Sequence, residues 1–157
     1  MPAIRPSASA EDVATVRRLF VEYAESLSVD LCCFQDFDQE LASLPGDYAP
    51  PAGALLLAEH EGEVVGCVAM RALEPPGMAE LKRLYVRPNG RGLGVGRALT
   101  EAVLAIARGA GYESIRLDTL PEMKEAQVLY RRLGFRETLP YRYNPIGGSV
   151  YMELALR

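Results

Sequence analysis

The sequence predicts an α/β (α+β) fold, in which helices pack in layers on a β-sheet of mixed strand directions. Three observations support this prediction. Segments with helical periodicity alternate along the chain with short segments typical of strands. Glycine and proline mark the junctions between them. The length of 157 residues suits one hydrophobic core, and no internal repeat or linker divides it, so we expect a single domain over residues 1–157.

Each predicted element follows from a local pattern. Strands are predicted where apolar residues alternate or run together, and helices where they recur at helical spacing. The first helix also begins with the capping pattern Ser9-x-x-Asp12. In chain order we predict a strand at 3–5, helices over 10–27 and 37–44, strands at 53–59, 63–71 and 79–86, a helix over 94–109, a strand at 114–120, a helix with Pro121 in its first turn that ends before Gly134, and strands at 135–140 and 148–155.

The strand predicted at 79–86 combines apolar and charged residues. A regular pleat places alternate side chains on opposite faces of a sheet. One face of this strand would then carry Leu81, Arg83 and Tyr85, and the other Glu80, Lys82, Leu84 and Val86.

Composition and charge exclude several classes of function. The 17 lysine and arginine residues are outnumbered by 21 acidic ones, which gives a net charge of −4, so we expect no nucleic-acid partner. No apolar run approaches the roughly 20 residues that span a bilayer, and the N-terminal residues lack an apolar signal core. We therefore expect a cytoplasmic protein without a membrane partner.

Cysteine and histidine are too few, and too poorly spaced, for several common kinds of site. Cys32, Cys33 and Cys67 form no C-x-x-C pair, so we expect neither a disulfide framework nor a zinc site, and no metal. The strands at 53–59 and 63–71 are expected to form a hairpin joined by a tight turn at Glu61 and Gly62. The single histidine, His60, falls near this turn, which disfavours a Ser-His-Asp or Cys-His enzyme. Cys32 and Cys33 have no histidine beside them in sequence and are not expected to act as nucleophiles.

A glycine-rich loop lies between the strand at 79–86 and the helix that follows. Its residues are Arg91, Gly92, Leu93, Gly94, Val95 and Gly96, and Arg97 comes next. Glycines let a ligand approach the backbone closely, and the N–H groups at a helix start attract anions. The loop therefore predicts a phosphate site, with a simple connecting turn as the alternative. Neither GxxxxGK[ST] nor GxGxxG is present, so the nucleotide-binding patterns do not apply.

The spacing Arg91-x-x-Gly94-x-Gly96 resembles the (Q/R)-x-x-G-x-(G/A) motif of the GNAT acyltransferases, which binds the pyrophosphate of acetyl-coenzyme A. The flanking segments AELKRLYVRP and GRALTEAVLAIARGAGY are similar to the family's fourth strand and long helix. A second family motif, A-x-x-L-Y-x-x-x-G-F, is matched by the segment AQVLYRRLGF that starts at Ala126. Met123 stands where the family often has Asn. The order of elements is similar over essentially the whole chain.

The resemblance implies a specific sheet and a cofactor. The sheet would be mostly antiparallel, with six or seven strands, helices on both faces, and a fourth and a fifth strand that splay apart. Acetyl-CoA would be the co-substrate, with its diphosphate on residues 91–97 and its pantetheine arm on the backbone of Leu84, Tyr85 and Val86. The thioester carbonyl would then lie near a strand N–H that stabilises the oxyanion.

The resemblance also implies direct transfer of the acetyl group to a primary amine in a ternary complex. Tyr130 matches the family tyrosine that protonates the departing thiolate; the alternative is a tyrosine that only packs in the core. Glu80 is the candidate base that deprotonates the amine, directly or through water. The alternative for Glu80 is a structural carboxylate paired with Lys82 or Arg116.

The acceptor side is less defined by the sequence. Asp36, Asp38 and Glu40 would either roof a pocket for a cationic amine or form a solvated surface. Residues 141–144 would line the acceptor side or pack as a loop. Asp118 would contact substrate or belong to an ion pair on its own strand.

Two other functions stay open at the level of sequence. A non-catalytic acyl-CoA-binding sensor or regulatory module would share the fold and the cofactor, and Tyr130 argues for an enzyme instead. A kinase or nucleotide enzyme would need a metal-binding set of carboxylates and one of the absent phosphate motifs. The acceptor is expected to be a small-molecule amine, and a homodimer is an option for such a fold.

Overall fold

The computed structural model describes residues 2–27, 36–74, 76–141 and 148–157. The strands are β1 (Ala3–Pro6), β2 (Ala54–His60), β3 (Glu63–Ala72), β4 (Met78–Val86), β5 (Ser114–Thr119), β6 (Arg136–Glu137) and β7 (Val150–Ala155). The helices are α1 (Ala10–Ser26), α2 (Phe37–Ser43), α3 (Val95–Gly109) and α4 (Lys124–Arg132), with 3₁₀ turns at Gly46–Tyr48 and Pro88–Gly90. No helix in these ranges is long and apolar enough to cross a bilayer.

The described strands form a seven-stranded sheet in the order β1-β2-β3-β4-β5-β7-β6. β4 and β5 run parallel, and the other neighbouring pairs run antiparallel. A parallel pair needs a crossover connection, which α3 supplies between β4 and β5. The expectation of a mostly antiparallel sheet with six or seven strands is confirmed.

The helices cover opposite faces of the sheet. α1 and α2 pack on one face through Phe20 and Phe37, and α3 packs on the other through Leu99. Side chains of the strands between them alternate, so that Leu57 joins the cluster under α1 and Leu56 the cluster under α3. Because both faces are covered, the runs in β2 and β3 are apolar almost throughout.

Two local signals in the first half of the chain act as predicted. Ser9 caps α1, and its Oγ accepts a hydrogen bond of 3.1 Å from the backbone N–H of Asp12. Glu61 and Gly62 join β2 to β3 with φ values of 52° and 82°, the positive angles of a tight hairpin turn.

β4 departs from the regular pleat that its sequence predicts. The register between β3 and β4 shifts between Cys67 and Ala69, so that Arg83 and Leu84 together oppose one residue of β3. Arg83 has a φ of 61°, which lies in the left-handed region. The strand therefore contains a β-bulge at Arg83 and Leu84.

The bulge makes the predicted faces of β4 wrong at two points. Leu84 and Val86 pack in the cluster under α3 with Leu81, not on the face of Glu80 and Lys82. The guanidinium of Arg83 instead lies 5.2 Å from the centre of the Phe37 ring, on the α1 and α2 side. The face toward α1 and α2 thus carries Glu80, Lys82, Arg83 and Tyr85. Three charged residues of β4 are thereby gathered on one side of the sheet.

Two predicted boundaries in the second half are also wrong. Pro121 is not in the first turn of α4, which begins at Lys124 with Met123 as its N-cap. Residues 121–123 form a turn instead. The strand predicted before the last one is reduced to two residues that end at Glu137. Pro140 has no N–H to donate to the neighbouring strand.

Candidate active site

A gap opens in the sheet where β4 and β5 diverge. In the described sheet the two strands pair over residues 78–80 and 114–116; beyond them β4 stays paired only with β3, and β5 only with β7. The expected splay of the fourth and fifth strands is therefore confirmed. Seven residues with polar or mixed character line this opening, the central gap: Tyr23, Lys82, Arg83, Asp118, Thr119, Met123 and Tyr130. Tyr23 of α1 packs with the cluster under α1, and Tyr130 of α4 packs with the cluster under α3. The gap is therefore lined from both faces of the sheet.

A long cleft of about 720 Å³ runs from the central gap to the start of α3. It shares Tyr23, Leu84 and Met123 with the central gap as common walls. Of the predicted cofactor-binding residues, the cleft brings together Leu84, Tyr85, Val86, Arg91, Gly92, Gly94, Val95, Gly96 and Arg97. Leu93 is 42% exposed and does not line the cleft, so a side-chain contact from Leu93 is not supported.

The turn before α3 presents backbone to the cleft. Gly92 and Gly94 have φ values of 80° and 75°, a region in which residues with a Cβ are strained. A Cβ at either position would meet nothing within 4 Å, so the space above both glycines is open. α3 begins at Val95 without a side-chain cap, and the first N–H groups of a helix have no acceptor within it. These groups can bind an anion.

Two arginines border the same turn. The Nε of Arg91 donates to the carbonyl oxygen of Val86 over 3.3 Å, which holds the side chain along the end of β4. The Nε of Arg97 lies 3.2 Å from Oε1 of Glu101, one helical turn away. Both side chains remain at the mouth of the long cleft and add positive charge where the helix dipole already favours an anion.

Tyr130 lies on α4 with its side chain between the core and the central gap. It is 5% exposed, and its ring packs 5.6 Å from the ring of Phe135. Burial raises the pKa of the Tyr130 phenol above its ordinary value, and the negative charges that Tyr23 and Asp118 can carry raise it further. The phenol therefore stays protonated through the neutral range and can act as a proton donor.

Lys82 borders two cavities. Its side chain lines the central gap and also a second cavity beside α2. The residue is 7% exposed, and burial lowers the pKa of its amine to about 7, with further lowering by the positive charges of Arg83 and Arg71. Burial disfavours the charged form of a lysine, so a large part of Lys82 is neutral at pH 7.

The second cavity, here the side pocket, has a volume of about 560 Å³. Charged residues of both signs line it: Asp36, Glu40, Asp47, Arg71 and Lys82. Glu40 is engaged by Arg83, whose Nε and Nη2 each donate to the carboxylate over 2.9 Å. Burial would raise the pKa of Glu40, but these bonds and the charge of Arg83 lower it below its ordinary value. Asp36 and Asp47 are exposed at the mouth of the pocket, whereas Asp38 does not line it.

Glu80 is fully buried, and its carboxylate lines neither the central gap nor the side pocket. The Nε of Arg71 donates to its Oε1 over 2.8 Å, and the hydroxyl of Tyr141 donates to its Oε2 over 2.7 Å. The ion pair expected as the alternative for Glu80 is therefore present, but the partner is Arg71 rather than Lys82 or Arg116. Arg116 pairs with Glu153 across the strands β5 and β7.

Comparisons with known proteins agree with this geometry. The model of the acetyltransferase (GNAT) family matches residues 15–135. The chain belongs to the GNAT acetyltransferase family. An uncharacterized N-acetyltransferase of Schizosaccharomyces pombe is 42% identical over 147 residues, which are 93% of this chain and 90% of the relative.

Solved structures share the fold of this GNAT acetyltransferase along its full length. A GNAT acetyltransferase from Staphylococcus aureus superposes with a TM-score of 0.81 and 20% identity, covering 100% of both chains. The yncA protein of Salmonella typhimurium, solved with its cofactor acetyl-CoA, superposes with a TM-score of 0.76 and 21% identity over 99% of this chain and 94% of that one. This chain is accordingly an acyltransferase of a family that uses acetyl-CoA.

The residues of the long cleft and the central gap fit acetyl-CoA. The open glycine turn suits a diphosphate, and the unpaired side of β4 suits the amides of a pantetheine arm. Thr119 adds a separate indication, because its buried Oγ1 has no hydrogen-bond partner among the described residues although it borders the central gap. A bound amide would satisfy that oxygen. The described residues hold no cluster of three side chains suited to a metal ion.

Three residues of the site in this GNAT acetyltransferase, Lys82, Tyr23 and Thr119, are not predicted from the sequence. The two adjacent cations Lys82 and Arg83 inside an otherwise largely apolar strand were the available signal for Lys82. Tyr23 and Thr119 join the site only through the packing of α1 and the divergence of β5, which no local pattern reveals. Cys32, Cys33 and residues 142–144 lie outside the described residues.

Proposed function

We propose that this GNAT enzyme transfers the acetyl group of acetyl-CoA to a primary amine of a small molecule or to a free amino group, by direct attack in a ternary complex. One observation supports this most strongly. The long cleft leads from the anion-binding turn into the central gap, and Lys82 joins that gap to a separate pocket large enough for an acceptor. Two substrates that enter from different sides would meet there.

The cofactor would occupy the long cleft. Its diphosphate would accept hydrogen bonds from backbone N–H groups near Gly94 and Gly96, with Arg91 and Arg97 at the mouth. The pantetheine arm would pair with the free side of β4 at residues 84–86, and the thioester would then enter the central gap. When bound, acetyl-CoA supplies an activated acyl group whose carbonyl carbon an amine attacks.

Tyr130 would protonate the departing thiolate. The phenol borders the central gap, and burial keeps it protonated, so a proton is available where the C–S bond breaks. A structural role in the core is the alternative, and the contact with Phe135 is consistent with both roles. Tyr130→Phe removes the hydroxyl but keeps the ring, so this variant separates the catalytic role from the structural one.

The acceptor would enter through the side pocket. Asp36 and Asp47 at its mouth would attract an ammonium group, whereas Glu40 serves to hold Arg83. Glu80, the base predicted from the sequence, would have to work through Arg71, Tyr141 or a water molecule, because its own carboxylate does not reach either cavity.

A thiol-release assay tests the proposed function. The enzyme is incubated with acetyl-CoA and a panel of amino acids, polyamines, amino sugars and peptides with free N-termini, and free CoA is measured. We expect acetyl-CoA to raise the melting temperature and at least one amine to be acetylated. A chain that is stabilised by acetyl-CoA but acetylates none of these amines would instead be the non-catalytic sensor.

A further inference from the structure

Lys82 is the residue shared by the central gap and the side pocket among the described residues. In one direction it borders the space next to Tyr130, where the thioester would lie. In the other it borders the pocket assigned to the acceptor. A proton acceptor for an incoming ammonium group must stand between these two places, because the amine has to become neutral before it attacks.

The amine of Lys82 is buried among groups of both charges but makes no close ion pair with a described carboxylate. Among the described residues no carboxylate oxygen lies within 4 Å of Nζ, so this lysine forms no ion pair. Several elements present titratable or charged groups toward it: Tyr23 of α1, Glu40 of α2, Asp47 and Tyr48 of the 3₁₀ turn, Arg71 of β3, Arg83 of β4, Asp118 of β5 and Tyr130 of α4. Glu40 is engaged by Arg83, and the charges of Glu40 and Asp118 favour the protonated form of Lys82 less than burial and the two nearby arginines disfavour it.

We propose that Lys82 is the general base that takes the first proton from the acceptor ammonium. This inference rests on the proposed function and assigns its base to Lys82 in place of Glu80. A buried lysine flanked by other cations is the kind that acts as a general base.

The proton balance of the transfer follows from this assignment. The acceptor R–NH₃⁺ gives one proton to Lys82 Nζ, which later releases it to solvent. The neutral nitrogen attacks the thioester carbon, so that the C–N bond forms and the C–S bond breaks. Tyr130 protonates the leaving thiolate, and the second proton from the acceptor nitrogen restores its phenol. The products are the amide, CoA as a thiol, and one proton.

Two substitutions separate a base from a fixed positive charge. Lys82→Met removes both functions, whereas Lys82→Arg keeps the charge but cannot lose its proton in a protein. We expect both variants to bind acetyl-CoA like the wild type and to lose about 10²- to 10⁴-fold in kcat at pH 7. The loss should shrink as the pH approaches the pKa of the acceptor amine, because neutral acceptor then enters without a base. Near-normal kcat in either variant, or a loss that is independent of pH, overturns the proposal.

The lysine itself can be titrated directly. The chain contains two lysines, Lys82 and the exposed Lys124, so a protein labelled with ¹³C at lysine Cε gives two signals, and Lys82→Arg identifies the one from Lys82. We expect the Lys82 signal to titrate near neutral pH. If the Lys82 signal titrates at the ordinary lysine pKa of about 10.4, the inference fails. A panel on which the wild type acetylates no amine contradicts the proposed function, whereas an active wild type whose Lys82 variants keep near-normal kcat overturns the assignment of the base alone.

Discussion

A buried lysine without a carboxylate partner lowers the stability of the fold, and at Lys82 this cost depends on pH. Its folded-state pKa of about 7 lies below the ordinary value of about 10.4. Between these values the unfolded chain binds more protons than the folded chain, so the contribution of Lys82 to stability rises as the pH increases from 7 to about 10. Below pH 7 both states are protonated, and the full cost is present.

Lys82→Met should therefore stabilise the protein. At pH 7 we expect a gain of about 2–4 kcal/mol in the free energy of unfolding, and this gain should decline toward pH 10. Urea denaturation at several pH values measures it, with Lys124→Met at an exposed position as the control that should change little. A difference between Lys82→Met and wild type that stays constant from pH 7 to pH 10 would contradict the assigned charge state.

The hydroxyl of Tyr130 is predicted to act in chemistry rather than in packing. Tyr130→Phe should lower kcat by about 10²- to 10⁴-fold and leave the affinity for acetyl-CoA unchanged, because the ring that fills the core remains. Steady-state thiol release and calorimetry measure the two quantities. Tyr112→Phe is a matched control, since its hydroxyl donates to the carbonyl oxygen of Ala52 and does not line the gap. Equal turnover in both variants would assign Tyr130 to the core alone.

At the scale of the element, the bulge in β4 decides which side chains reach the site. A strand without it would turn Arg83 toward α3 and separate it from Glu40. With the bulge, Arg83 binds α2 through Glu40 and Phe37, and α2 forms one wall of the side pocket. The position of this bulge could not be predicted from the sequence, because an arginine with positive φ is uncommon and leaves no pattern in the order of residues.

The glycine turn before α3 yields a prediction with an internal control. Gly94→Ala and Gly62→Ala both place a Cβ at positive φ with nothing within 4 Å, so both should lose a similar amount of stability, about 1–2 kcal/mol. Only the methyl group of Gly94→Ala would occupy the long cleft. We expect its affinity for acetyl-CoA to fall roughly tenfold or more by calorimetry, with the affinity of Gly62→Ala unchanged. Equal affinities in the two variants would remove this turn from the cofactor site.

At the scale of the whole molecule, the sequence predicts what depends on local order. Every predicted helix and strand is present, because periodicity is a property of neighbouring residues. The splay of β4 and β5 follows from the family resemblance, which rests on motif spacing. Burial and charge state are not such properties. Glu80 and Lys82 are two positions apart on one strand, yet only packing from α1, α2 and β5 determines that Lys82 reaches two cavities whereas Glu80 reaches neither.

Acetyl-CoA is expected to reach the side pocket through the long cleft and the central gap of the splayed sheet. A crystal structure of the enzyme with acetyl-CoA tests it most directly. The diphosphate should lie against the backbone N–H groups of residues 94–97, the pantetheine arm along residues 84–86, and the thioester in the central gap between Tyr130 and Lys82. A cofactor bound elsewhere, with this turn and this gap empty, would contradict the account.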